Sequence, residues 1–187
     1  MHTLFADNEI DYDGSQIYSL WAYREFGLLG DSIVAFVGGC DVKPEFMVDI
    51  EDLKAGDTIF SRKMLHFIVE HFDDNLEATI LRQRILAGLV LEAIIKGQPA
   101  LAKNIRREGD DLFDDDAKLS VSIATSTPVS TKIHFGINVI ADGAPVKAGG
   151  LSDYSIEPEP FADAVLLAYA AEMCGAREVR CRVRGVD

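Results

Sequence analysis

KLSVSIATSTPVSTKIHFGINVI, residues 118–140, contains two alternating runs joined by a short connection. Lys118–Thr125 and Thr131–Ile140 place apolar side chains at every second position, the period of a strand with one face in a core. The intervening STPVS (126–130) is short enough for an antiparallel hairpin. With Thr125 opposite Thr131, Ile123 meets Ile133, Val121 meets Phe135 and Leu119 meets Ile137. That register gathers the large apolar residues on one face, which opposes slippage. The other face then carries Lys118 beside Asn138, Ser120 beside Gly136 and Ser122 beside His134. Such a face is a candidate floor for a polar ligand. Gly136 leaves room for a ligand to approach the backbone. Lys118 and Asn138 can hold a carboxylate, carbonyl or phosphate oxygen. Ser and Gly are poor strand formers for an open surface, which favours a covered face.

Outward from the hairpin, the sequence predicts helices packed on strands. Asn75–Lys96 repeats Leu76, Ile80, Leu81, Ile85, Leu86, Leu89, Val90 and Ile94 at helical spacing, with Gly97 and Pro99 as stops. Its apolar half, ILAGLVLEAII, predicts a central, buried helix. A first helix is expected from Ser15 to Phe26, closed by Gly27. Met64, Leu65, Ile68 and Phe72 predict another over Ser61–Phe72, and a last one over Phe161–Met173 is stopped by Gly175. Strands are expected at SIVAFVGG (32–39), at FMVDI (46–50) and at REVRCRVRG (177–185), where Val179, Cys181 and Val183 alternate with arginines. The polar interval Asn104–Lys118 reads as a loop. The whole is α+β, with a mixed, largely antiparallel sheet and packed helices, in one domain over residues 1–187.

Composition narrows the function. The 187 residues carry 31 acidic and 18 basic side chains, a net charge of −13 that repels nucleic-acid backbones and anionic membranes alike. No apolar run approaches the roughly 18 residues of a membrane span. MHTLFADNEIDYDG places acids where a secretory signal would place Lys or Arg, so a cytoplasmic protein is expected. Cys40, Cys174 and Cys181 form no CxxC pair, and an odd count argues against a disulfide framework.

Other motifs are weaker. His66, Glu70 and His71 are spaced so that two imidazoles would not share a helix face, and no third ligand is evident, so no metal site is expected. Arg82 and Arg84 flank Gln83, and one of them is a candidate anion clamp, with solvation as the plainer reading. Gly38 and Gly39 follow a strand and form a candidate backbone nest for an anion, without the spacing of a phosphate loop. Cys40 beside Asp41 lacks an activating cation. Asp110, Asp111, Asp114, Asp115 and Asp116 read as a solvated acidic loop, with a hard cation as the alternative.

RREGDDLFDDDAKLSVSIATSTPVSTKIHFGINV (106–139) resembles the central segment of biotin protein ligases, in which a KWPNDL-like stretch precedes a KLAGIL-like and a GIGIN-like strand. Arg107 stands at the first lysine of that pattern, Asp111 and Leu112 at its Asp-Leu, Lys118 at the strand lysine, and GIN at 136–138. Glu108 and Gly109 replace its tryptophan and proline. Where the ligases carry a Gly/Arg-rich adenylate loop, AFVGGCDVKPEF (35–46) offers only Lys43. The whole chain is also similar to domain of unknown function 366, a mainly archaeal family. That likeness rests on SLWAY, GDSIVAF, MVDIED, MLHFI, LRQR, GDDLF and SVSIAT…KIHFGINV.

These resemblances imply a fold like the catalytic domain of biotin and lipoate ligases and class II aminoacyl-tRNA synthetases. They imply that Lys118 contacts a reacting carboxylate, with Mg-ATP as the cofactor if adenylation is retained, and that the chain forms a homodimer. Two functions are carried forward. One is a transferase or ligase acting on a small carboxylic acid or its acyl derivative. The other is a non-catalytic binding or regulatory module that has lost adenylation.

Overall fold

A computed structural model describes residues 1–56, 58–142 and 146–186. Its centre is a five-stranded sheet in the order β1-β2-β3-β8-β7. The strands are β1 (His2–Phe5), β2 (Ser32–Val42), β3 (Ile59–His71), β7 (Ser120–Ser126) and β8 (Thr131–Ile140). Only the β1–β2 pairing is parallel; β2–β3, β3–β8 and β8–β7 are antiparallel. A smaller sheet of β4 (Ile105–Glu108), β5 (Asp111–Asp114) and β6 (Ala117–Lys118) occupies the interval read as a loop. The helices are α1 (Trp21–Phe26), α2 (Ile50–Ala55), α3 (Leu76–Gly97) and α4 (Pro158–Arg180). This is the expected α+β class with a mixed, mostly antiparallel sheet.

One face of the sheet packs α3 and α4, which bury Leu86, Val90, Ile94, Val165 and Tyr169 against Phe67, Ile133, Phe135 and Ile137. The other face is covered by the N-terminal segment, where Ala6, Tyr12 and Ile17 join Phe36, Met64 and Ile68. No described helix is long and apolar enough to cross a membrane.

Several expectations need correction. Ser61–Phe72 is not a helix but most of β3, central and flanked by β2 and β8. A strand covered on both faces needs apolar residues at consecutive positions, so MLHFIV satisfies it as well as it satisfies helical spacing. FMVDI is not a strand. A 3₁₀ turn over Pro44–Phe46 precedes α2, which starts after Asp49 because its carboxylate accepts the N–H of Glu51 at 2.8 Å. The C-terminal alternation is not a strand either, since α4 runs through Gly175 to Arg180. One glycine costs an exposed helix only about 1 kcal/mol. The first helix is split into a 3₁₀ turn at Ser15–Ile17 and α1, separated by Leu20 with φ 64°. The Leu20 N–H donates to Glu70 Oε1 at 2.9 Å, a tertiary bond that holds this unfavourable backbone.

The hairpin exists with a register one residue from the expected one. Ser126 lies opposite Thr131, Ile123 opposite His134, Val121 opposite Gly136 and Ser122 opposite Phe135. Side-chain volume alone favours apolar beside apolar. The observed register instead pairs small Ser120 and Ser122 with large Ile137 and Phe135 on the helix face, where α3 and β5 fill the space. Val121 and Ile123 consequently turn to the opposite face with His134.

Candidate functional site

The covered face of β8 presents Lys132, His134, Gly136 and Asn138, because side chains alternate along a strand. Beside it, β3 presents Met64, His66, Ile68 and Glu70 in antiparallel register. A cavity of about 610 Å³ opens over the Asn138 end. Val121, Ile123, Met64, Phe46 and Met47 give it an apolar wall, and Lys118, Asp110 and Asp111 a polar one.

Lys118 ends β6, opposite Phe113 of β5, and its Nζ lies 2.9 Å from Asp111 Oδ2, with both side chains about a third exposed. Asp110 Oδ2 accepts from Gln83 Nε2 at 2.8 Å. Burial, and then neighbouring Asp111, hold the Asp110 carboxyl above the usual range. His134 is buried yet borders the cavity. Its Nε2 is 3.0 Å from His66 Nδ1, and Tyr12 stacks on it at 3.6 Å between ring centroids. Burial, reinforced by the neighbouring His66, pushes His134 well below the ordinary imidazole value. Burial likewise lowers His66 to about 4. The pair is therefore neutral at physiological pH.

The expected residues thus separate into groups. Lys118, Asp111, His134 and Asn138 come together on the cavity wall. Asn138 is already engaged, accepting from Ser61 Oγ at 3.0 Å and donating to the Gly149 carbonyl at 3.3 Å. Ser120 and Ser122 also border the cavity, but their hydroxyls serve the helix side. Ser120 Oγ accepts the Leu112 N–H, while Ser122 Oγ donates to the His134 carbonyl and accepts from Gln83. Gly136 makes space for protein rather than ligand: a Cβ there would sit 2.9 Å from Met64 Cε and 3.3 Å from His134 Nε2.

Arg107 lies on exposed β4, bonded to the Gly109 carbonyl and away from the cavity lining. Arg82 pairs with Asp73 at 2.7 Å, and of the LRQR motif it is Gln83 that is buried. Tyr12, Val121 and Ile123 were not anticipated here. Tyr12 gives no sequence signal, whereas the two apolar residues were assigned to the opposite face by the register.

Gly38 and Gly39 do not form an anion nest on the cavity. The chain from Ile10 to Tyr12 crosses β2 at this point, with the Ile10 N–H on the Val37 carbonyl and the Tyr12 N–H on the Gly39 carbonyl. The Gly39 N–H donates to Asp11 Oδ1 at 2.8 Å, so the anion it holds belongs to the chain itself. A Cβ on Gly38 would fall 1.9 Å from the Ile10 carbonyl oxygen. Gly38→Ala is therefore expected to lift the crossing and loosen Tyr12 from His134, at a cost of about 1–3 kcal/mol. Urea unfolding with Tyr12 near-UV dichroism checks this, and an unchanged midpoint would refute it.

Residues 1–184 match the family described as Domain of unknown function (DUF366). The chain belongs to the DUF366 family. An uncharacterized protein of Methanocaldococcus jannaschii is 41% identical over 163 residues, covering 84% of this chain and 72% of that protein. A solved protein of unknown function from Pyrococcus horikoshi superposes with a TM-score of 0.94 at 41% identity, covering 100% of both chains. The fold reaches further than the family. A biotin protein ligase mutant from Aquifex aeolicus, solved with biotin, gives a TM-score of 0.61 at 13% identity, covering 95% of this DUF366 chain and 72% of the ligase. A putative lipoate protein ligase from T. acidophilum, solved with lipoic acid, gives 0.54 at 14% identity, covering 94% and 86%. At such identities the likeness is one of fold.

Proposed function

We propose that the cavity receives a small carboxylic acid or its acyl derivative, that Lys118 holds the carboxyl oxygen, and that the protein acts on it as a transferase or ligase. The observation that carries this reading is the placement of Lys118. It is the one Lys or Arg among the described lining residues, and it stands at the edge of an apolar wall formed by Val121, Ile123 and Met64. An amphipathic acid matches such a wall, with its tail on the apolar side and its oxygen at a cation. Exchanging the Asp111 carboxylate for a ligand carboxylate would keep Lys118 paired. Biotin and lipoic acid, bound by the two solved ligases of like fold, belong to this chemical class.

The same lining favours a second reading. Asp49, Asp52, Asp110 and Asp111 share the cavity lining with that single ammonium among the described residues, and Asp111 pairs with it directly. Four carboxyl groups make a poor bed for a triphosphate unless divalent cations intervene. This supports a binding or regulatory module without adenylation.

Thermal shifts with biotin, lipoate, octanoate and amino acids, each with and without Mg-ATP, test both readings. A ligand at a hundred times its Kd adds about 2.7 kcal/mol, or roughly 5–11 °C for a chain of this size. The expected result is a shift with an acid that disappears in Lys118→Ala. A shift retained in that variant removes Lys118 from the site, and no shift with any acid overturns the substrate class. Pyrophosphate exchange with the binding acid separates adenylation from binding alone.

A further inference from the structure

The apolar C-terminal half of α3 buries Leu86, Ala87, Val90 and Ile94 as expected, but four large side chains on the helix's first ten residues face solvent. Leu76 is 39% exposed, Ile80 37%, Leu81 56% and Ile85 41%. Single exposed apolar residues are ordinary, but four within three turns, set on either side of Glu77 and Arg84, make a face more apolar than open solvent favours. At 100° per residue, Ile80, Arg84, Glu77, Gly88, Leu81 and Ile85 follow one another across this face. The core-facing side of the helix carries Thr79, Gln83, Leu86 and Val90. A Cβ added to Gly88 would meet nothing within 4 Å, so no described part of the chain covers this end of the face.

We infer that this face of α3 docks on the same face of a second copy of the chain, with the two helices antiparallel about a two-fold axis passing between Ile80 and Leu81. The argument is the self-complementarity of the pattern. Glu77 lies as far before that point as Arg84 lies after it, and both sit near the centre line of the exposed face. A two-fold there sets Glu77 against the partner's Arg84, and Arg84 against the partner's Glu77. Ile80 and Leu81 of both copies meet around the axis, with Leu76 and Ile85 along the flanks. Any other partner would need an independent match to this pattern, whereas a second copy supplies it by symmetry. The net charge of −13 opposes self-association through long-range repulsion, and the local opposite charges offset it at contact. One helix face buries well under the roughly 1,600 Å² of a standard interface, so the dimer is concentration-dependent rather than obligate.

Sedimentation velocity on the full chain at about 1–300 µM and ~0.15 M salt tests this. The wild type is expected to shift from monomer to dimer across the range. Leu81→Lys should weaken association at least roughly tenfold, because a charge would enter the seam. Glu77→Arg alone should weaken it too, by setting two guanidinium groups together at both ends, while Glu77→Arg with Arg84→Glu should restore it. All three positions are exposed, and circular dichroism melts confirm that the variants fold. A monomer at every concentration overturns the inference. So does a dimer indifferent to Leu81→Lys, or a double swap no better than the single one. Association with protein partners but not with itself would assign the patch to a different occupant.

Discussion

Replacing Glu70 by Ala is expected to destabilise the protein by about 3–5 kcal/mol, the cost of leaving a buried charge without its partner. Glu70 Oε2 lies 3.1 Å from Lys132 Nζ, and the two side chains are 2% and 0% exposed. The other carboxylate oxygen accepts from Ser130 Oγ at 2.7 Å and from the Leu20 N–H at 2.9 Å. The group thus ties together β3, β8, the β7–β8 connection and the left-handed residue before α1. Burial holds the Lys132 ammonium below its ordinary value, and Glu70 offsets only part of that. Without the carboxylate, Lys132 must give up its proton or drag water into the sheet face. For a chain of this size the loss amounts to roughly 6–20 °C in Tm. The test is a cycle of Glu70→Ala, Lys132→Met and the paired replacement Glu70→Leu with Lys132→Met, followed by urea unfolding. The pair of apolar residues should recover part of what Glu70→Ala loses, since it removes both charges together but leaves the Leu20 N–H and Ser130 Oγ without their acceptor. A loss below about 1 kcal/mol for Glu70→Ala would mean that the pair is solvated, and would refute the assignment.

Lys132 also shows where the sequence stops being legible. Inside TKIHFGINV it falls by alternation on the same face as His134 and Asn138, and nothing nearby announces a buried counter-charge sixty-two positions earlier. The same face had been read as the floor of a ligand site, whereas the crossing segment Ile10–Tyr12 covers part of it. That crossing is invisible to periodicity because it is set by backbone bonds to Val37 and Gly39, not by side-chain pattern. The fold class, α3 and the hairpin were legible since each rests on a sustained local period. β3 was not, because a strand buried on both faces loses the alternation that would distinguish it from a helix. Lys118 and Asp111 were placed together through a family resemblance, and their 2.9 Å contact is what geometry adds. Val121 and Ile123 were assigned to the wrong face by a single step in register, the smallest error that exchanges the two sides of a strand.

The buried imidazoles predict an early acid transition. His66 and His134 are neutral when folded, and burial is the leading cause of both depressed values. In the unfolded chain each takes a proton near pH 6.5. Above that value both states are neutral and the contribution to stability is complete. As pH falls below it, the unfolded state binds protons that the native state refuses, so stability drops. For His66, between about 6.5 and its folded value of about 4, the loss is on the order of 3 kcal/mol. His134 adds in the same direction. Such a loss is a large share of the stability of an ordinary domain, roughly 5–15 kcal/mol. Paired carboxylates weaken mainly at lower pH, and comparing two proteins across the window from 6.5 to 4.5 cancels the groups they share, the raised Asp110 carboxyl among them. Urea midpoints across that window should fall steeply for the wild type. In His66→Gln the slope should drop by on the order of 1 kcal/mol per pH unit, as one proton leaves the linkage. Parallel slopes for the two proteins would show that His66 is charged, or solvated, in the native state. They would also remove the basis for a neutral, stacked Tyr12–His134–His66 column beneath the cavity.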